Sequence, residues 1–301
     1  MRKLSRRAAS IALAAVMLFT TVGVSQKKVE AAPTGKLSVT GYQDYNDAQK
    51  ILKEVNKYRK KNGRKALKMD RGLTNSAIMR GFETTIYIPE TSPHRRPNGK
   101  LSKSINKKII YENCAQSAGT TPKQIVKGWI DSSTHRKGLL LSNAKSVGVA
   151  AVTVVSRDGY EANTWVLDFS SSKAKKVEKS KARKQFTKNI VTKNSYLKKS
   201  YLKLDSRYGT IWETEKMQMK PTYQGKMMKE YGVYPTVINT SSFTSWKSSN
   251  PSVASVDSTG RITGNKAGTA TISAKLKTGT KITISKKIKV VPTNQQIDPW
   301  E

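Results

Sequence analysis

An α+β layered domain followed by an all-β sandwich is the fold class this 301-residue sequence predicts. Three observations carry the prediction. Apolar residues recur at helical spacing early in the chain, turn β-branched over residues 146–169, and alternate again between Asn-Pro and Thr-Gly turns after residue 246. Helices first and an antiparallel hairpin after them imply an α+β layer structure, and short strands at regular turn spacing imply a sandwich.

The elements follow in order. Arg2, Lys3, Arg6 and Arg7 precede an apolar run from Ala8 to about Val24, and Val29-Glu30-Ala31-Ala32 offers small residues for cleavage. Residues 1–31 are therefore expected to be an export signal, with the mature chain starting at Ala32. Thr20 and Thr21 interrupt a run already short for a spanning helix, so no transmembrane anchor is expected after cleavage.

Ile51, Leu52, Val55 and Tyr58 then share one face of a helix that Asn46 or Asp47 can cap and Gly63 can end. A second helix carries Leu73, Ala77 and Ile78. The segment Ser92-Pro93-His94-Arg95-Arg96-Pro97-Asn98-Gly99 is turn chemistry. Thr121-Pro122 opens a third helix with Ile125, Val126, Trp129 and Ile130 inward, which places His135 at or just past its end. Ser146 to Val155, an Arg157-Asp158-Gly159 turn and Asn163 to Phe169 form the hairpin, with Trp129 and Trp165 in the core.

Residues 171–206 are rich in lysine, and the run from Ser171 to Lys184 has almost no apolar content to offset its ordering entropy, so the stretch is expected to be a linker. It separates a first domain at 41–170 from a second at 207–292, with a tail at 293–301. In the second domain Ala270, Ile272 and Ala274 alternate with Thr269, Thr271 and Ser273, and Ile282, Ile284, Ile288 and Val290 keep the parity. Lys286 interrupts that run and suggests a bulge or a strand leaving the core.

The formal net charge is +36, mostly lysine scattered over both halves, without a recognition helix, zinc finger or RNA-binding motif. Nucleic acid is not expected as a partner. For an exported cation, anionic cell-wall polymers or glycans are the matching partners, held by long-range attraction that salt weakens, although lysines that only solvate the surface fit equally well. The single cysteine excludes an internal disulfide, and Cys114 is expected to be a small core residue rather than a reactive thiol.

Only two histidines occur, His94 and His135, and Glu112 lies between them in Tyr111-Glu112-Asn113-Cys114-Ala115. So sparing a use of the residue most often recruited for metal ligation and proton transfer nominates a site. His94, Glu112 and His135 could together hold a divalent ion such as Zn with an open fourth position. Without a metal they could serve as acid and base, but no strong nucleophile accompanies them: Ser132 and Ser133 lack a glycine-framed elbow and are expected to cap or solvate a helix end. No catalytic residue is assigned. A polar network that only knits loops together is the structural alternative.

The succession Asn56-Lys57-Tyr58-Arg59, a Pro-His loop, a Glu-Asn pair, a Trp-x-x-Ser-x-x-His stretch and a hairpin ending in Trp165-x-x-x-Phe169 resembles the CAP superfamily of cysteine-rich secretory, antigen 5 and pathogenesis-related (SCP-like) proteins, in its cysteine-poor bacterial form. The resemblance covers residues 41–170 and implies an α-β-α sandwich with a cleft where two histidines and two acidic side chains converge. His94, His135 and Glu112 match that pattern, and Ser132 stands where the second glutamate is common. Residues 246–275, with Trp-x-Ser-Ser-Asn-Pro-x-Val-Ala-x-Val-Asp, are similar to bacterial Ig-like group 2 domains, which implies spacing or adhesion at a surface. The expected protein is thus a secreted or cell-wall-associated one whose ligand cleft comprises His94, Glu112, Ser132 and His135. A metal-dependent hydrolase acting on an extracellular substrate is the second expectation, and a purely structural surface protein the third.

Overall fold

The computed structural model describes residues 34–86, 94–117, 119–156, 159–205, 209–230, 232–278 and 280–294. The expected export signal, Pro93, the Arg157-Asp158 pair of the hairpin turn and the tail beyond residue 294 lie outside the described residues.

The first half begins with β1 (Thr34–Asp44) and runs directly into α1 (Tyr45–Lys61). Asp44 caps that helix, accepting from the Asp47 amide at 2.9 Å, so the cap is neither Asn46 nor Asp47. Gly63 follows the helix end at φ +67, a conformation glycine adopts without strain. Next come β2 (Lys68–Met69), α2 (Arg71–Ile86) and β3 (Tyr111–Ser117). Then α3 (Pro122–Asp131), started by a Thr121/Gln124 capping box, leads into the short α4 (Ser133–Leu139), which holds His135. The hairpin is β4 (Ser146–Val155) and β5 (Glu161–Ser170).

These strands form one sheet in the order β3-β5-β4-β1, extended by β6 (Arg183–Lys193), with β2 parallel beside β4. α2 lies on one face, where Ala77, Ile78 and Phe82 meet Ala150, Val152 and Val166. α1 and α3 lie on the other, where Ile51, Val55, Val126 and Trp129 meet Val147, Val149, Leu167 and Phe169. β4 is buried on both faces, which is why its sequence is apolar without alternation. The expected α-β-α sandwich is the observed one.

The lysine-rich stretch 171–206 is not a linker. Its backbone is tied down: Arg71 N–H donates to the Lys176 carbonyl at 2.8 Å, Glu178 N–H to that of Met69 at 2.9 Å, and Gln49 Nε2 to that of Glu178 at 3.0 Å. β6 follows within it and pairs with β1 along the whole length of both strands, from Thr34↔Lys193 to Asp44↔Arg183. Main-chain bonds supply what side-chain burial does not.

The second half is built of β7 (Leu202–Asp205), β8 (Thr210–Trp212), β9 (Lys216–Gln218), β10 (Lys220–Tyr223), the short α5 (Lys226–Glu230), β11 (Thr236–Val237), β12 (Phe243–Ser248), β13 (Ala254–Val256), β14 (Arg261–Gly264), β15 (Gly268–Leu276) and β16 (Thr283–Val291). They form sheets ordered β12-β15-β16-β8, β13-β14-β9 and β11-β10-β7. Ala270, Ile272, Ala274, Ile284, Ile288 and Val290 are buried between them, as the alternation predicts. Lys286 is not at a bulge, because β15 and β16 stay in register from Gly268↔Val290 to Lys275↔Thr283. The irregularity is in β12, between Thr244 and Lys247, where Ser245 has φ +53.

The halves are joined through β1. β4 pairs with β1 only near Tyr42 and Gln43, and second-half residues cover the free edge before it. Asn239 N–H donates to the Ser38 carbonyl at 2.8 Å, Ser38 N–H to Ser242 Oγ at 2.8 Å, and Lys36 N–H to Thr278 Oγ1 at 2.9 Å. One continuous apolar cluster runs from Leu37 and Val39 to Ile238, Phe243 and Leu276.

Candidate functional site

β3 is an edge strand of the sheet, and alternate side chains on it point to opposite faces. Glu112 and Cys114 share the α2 face, and Tyr111 and Asn113 the other, against α4. This parity decides which of the expected site residues meet.

On the α2 face Arg80, 1% exposed, donates from Nε to Glu112 Oε2 at 2.8 Å and from Nη2 to Oε1 at 3.2 Å. Its Nη1 donates to Glu83 Oε2 at 2.8 Å, and Arg96 Nε donates to Glu83 Oε1 at 2.9 Å. His94 completes the chain: its Nδ1 lies 3.0 Å from Glu112 Oε1, and its side chain is 36% exposed, so the network opens to solvent through the imidazole. Burial alone would raise the Glu112 pKa. The hydrogen bond from His94 and the charge and hydrogen bonds of Arg80 outweigh it and hold the carboxyl below its usual range. Burial likewise opposes the charge on Arg80, but the Glu112 and Glu83 carboxylates keep its pKa above the usual arginine value.

His135 belongs to α4, which packs on the Tyr111 and Asn113 face of β3. Its carbonyl accepts from Asn113 Nδ2 at 2.9 Å, and Tyr111 Oη donates to the Thr134 carbonyl at 2.9 Å, which seats α4 on β3. His135 Nδ1 lies 2.9 Å from Ser132 Oγ. Ser132 precedes α4 without making a side-chain cap bond, so its hydroxyl is committed to the imidazole rather than to the helix end. Burial first, and then the charge of His94, lower the His135 pKa and favour the neutral ring at physiological pH.

His94, Glu112 and Cys114 bring ligand atoms within 4.8 Å of one another, a group that could hold a metal ion; His135 is not part of it. The expected trio is therefore brought together only in part: His94 and Glu112 touch, Cys114 joins them from the same strand face, and His135 stays outside that group although the charge of His94 reaches it. Burial, with a contribution from the Glu112 charge, pushes the Cys114 thiol up to about 12, so it stays protonated and behaves as the expected packing residue.

Arg80, Glu83, Arg96 and Asp168 were not among the expected site residues. Asp168 lies opposite Glu112 in register, fully buried, and neither carboxyl oxygen has a hydrogen-bond partner among the described residues. Burial, then the neighbouring Glu112 charge, raise its pKa well above the usual carboxylate value, so it is held as the neutral acid. The available signal was charge inside apolar runs: Arg80 and Glu83 interrupt Ala77-Ile78-Met79-Arg80-Gly81-Phe82-Glu83, and Asp168 interrupts Trp165-Val166-Leu167-Asp168-Phe169.

Residues 52–169 match the model of the CAP (cysteine-rich secretory protein) family, and residues 224–288 match the bacterial Ig-like domain (group 2) model. The Bacillus subtilis (strain 168) protein YkwD is 30% identical over 130 residues, covering 42% of this chain and 48% of its own, so the chain spans about half the length of this curated relative. Among solved structures, an outer surface protein from Borrelia burgdorferi is similar at a TM-score of 0.33 and 17% identity, over 43% of this chain and 98% of that one. An extracellular protein containing an SCP domain from Bacillus anthracis str. Ames is similar at a TM-score of 0.32 and 18% identity, over 42% of this chain and 41% of that one. No helix among the described residues is long and apolar enough to cross a membrane.

Proposed function

With residues 52–169 a CAP domain and residues 224–288 a bacterial Ig-like domain, we propose that this is an exported, surface-associated binding protein. Its His94–Glu112 cleft takes a divalent metal or a small ligand, and the Ig-like half displays it. The observation that carries the reading is a half-exposed imidazole held at Nδ1 by a fully buried carboxylate that Arg80 keeps ionised. Orienting a ring through its second nitrogen is how proteins prepare a histidine to ligate through the first.

The donor chemistry sorts the candidates for a metal. Glu112 already accepts from Arg80 on both oxygens, and the Cys114 thiol is protonated, so neither suits a cation beside a guanidinium. The two imidazoles suit it better: with Nδ1 of His94 and of His135 engaged, each would ligate through Nε2, and the lowered pKa of His135 keeps that ring in the ligating form. A bound zinc would supply Lewis acidity at the cleft. Because Glu112 is saturated by Arg80, it is better placed to orient His94 than to act as a general base, and binding stands ahead of hydrolysis.

Titration of the full chain with zinc chloride in a calorimeter tests this. One saturable site is expected, abolished by His94→Ala or His135→Ala and weakened about 10–100-fold by Glu112→Gln, with circular dichroism confirming that each variant is folded. A folded His94→Ala protein that binds zinc as the wild type does would overturn it.

A further inference from the structure

A concavity lies at the start of α2, with a volume of about 330 Å³. Arg71, Lys108, Lys175 and Lys176 line it, together with Asn75 and Asn106. Lys175 and Lys176 come from the lysine-rich stretch, and they reach the pocket because that stretch is pinned by its backbone: Arg71 N–H to the Lys176 carbonyl at 2.8 Å and Lys175 N–H to Asp70 Oδ2 at 2.8 Å.

The acidic groups nearby offset these cations only in part. Asp70 also lines the pocket, but its oxygens serve main-chain donors, Oδ1 taking Leu73 N–H at 2.9 Å and Oδ2 that of Lys175. Glu178 pairs with Arg71, its Oε2 accepting from Nε at 3.0 Å, while its Oε1 accepts the Ser180 N–H at 2.9 Å. Three first-turn amides of α2 are spent as well, Arg71 N–H on the Lys176 carbonyl, Leu73 N–H on Asp70 Oδ1 and Thr74 N–H on the Asp70 carbonyl, so the attraction comes chiefly from side chains. With Asp70 and the Arg71 partner Glu178 both counted, two surplus positive charges remain, four cationic side chains less two carboxylates. Like charges gathered in one hollow repel one another unless an anion occupies it.

We infer that this pocket binds a phosphate-bearing ligand. A phosphate offers several charged oxygens at once, which suits an arginine fork and lysine point charges arriving from three segments of the chain, with two asparagine amides beside them. At about 30 Å³ of liquid volume per water, the hollow has room for roughly ten waters, enough for a phosphate and the organic group it esterifies. The same lysines, scattered outside the hollow, would draw such a ligand in from solution. The site shares no lining residue with His94, Glu112, Ser132 or His135, and neither site requires the other.

Calorimetric titration of the full chain with glycerol 3-phosphate and with inorganic phosphate, each against sodium chloride at matched ionic strength, tests the inference. Saturable binding is expected, about tenfold or more weaker in Lys108→Gln/Lys175→Gln/Lys176→Gln, retained in Lys175→Arg/Lys176→Arg, and unchanged in His94→Ala. Tighter binding of the ester identifies an organic phosphate as the ligand, and equal binding a free one. These lysines are exposed, so the glutamine variant keeps the wild-type melting temperature. A triple variant that binds like the wild type, or heats that sodium chloride reproduces, would overturn the inference.

Discussion

Asp168 sets the chemistry of the buried network as much as the histidine and glutamate do. A carboxylic acid with no hydrogen-bond partner among the described residues, beside the ionised Glu112, stays protonated in the fold and ionises near the usual carboxylate pKa once unfolded. The native state therefore holds more protons above that pKa, and the Asp168 contribution to stability falls as pH rises toward its folded value. Relative to Asp168→Asn, the wild type should lose up to about 1.4 kcal/mol per pH unit over that window, read from urea unfolding at pH 4 and pH 7. A constant difference between the two proteins across that range would show that Asp168 is ionised in the fold. At this scale the sequence exposed His94 and Glu112 because histidine is scarce and their types are chemically specific. It concealed Arg80 and Glu83, since a charge in an apolar helix face has meaning only once the strand opposite it is known.

Packing between elements fixes where that chemistry stands. α2 lies so close to β4 that a Cβ on Gly148 would come 2.3 Å from the Leu73 main chain. Gly148→Ala must therefore push the helix off the sheet, at a cost of about 1–3 kcal/mol for overpacking. Because α2 also carries Arg80, the same change should loosen the grip on Glu112 and lower zinc affinity, whereas a purely local strain would reduce the melting temperature alone. The helices and the β4–β5 hairpin were legible because they bury one or both faces and their periodicity survives in the sequence. β6 was not: it lies at the edge of the sheet, only Ile190 and Thr192 on it are buried, and its order comes from main-chain bonds to β1 that leave no trace in side-chain pattern.

For the whole molecule, the junction on β1 makes the two halves one cooperative body. Second-half residues satisfy Ser38 and Lys36, Thr236 Oγ1 donates to the Thr85 carbonyl at 2.8 Å, and Tyr160 stacks on Tyr234 at 4.7 Å between centroids. Native-state hydrogen exchange should therefore give Leu37 in β1 and Ile284 in β16 the same opening free energy. A gap of several kcal/mol between them would mean that the halves unfold independently.

That junction also orders events in time. Among the described strands β1 leaves the ribosome first, yet its partner β6 begins at Arg183, and Thr278 bonds to Lys36 across 242 residues of chain. The entropy of closing so wide a loop is lost before any of those bonds forms, and chains dominated by such distant pairings fold slowly. Until β6 emerges β1 lacks its full-length partner, and until Ser242 and Thr278 arrive its other edge stays open to the wrong neighbour.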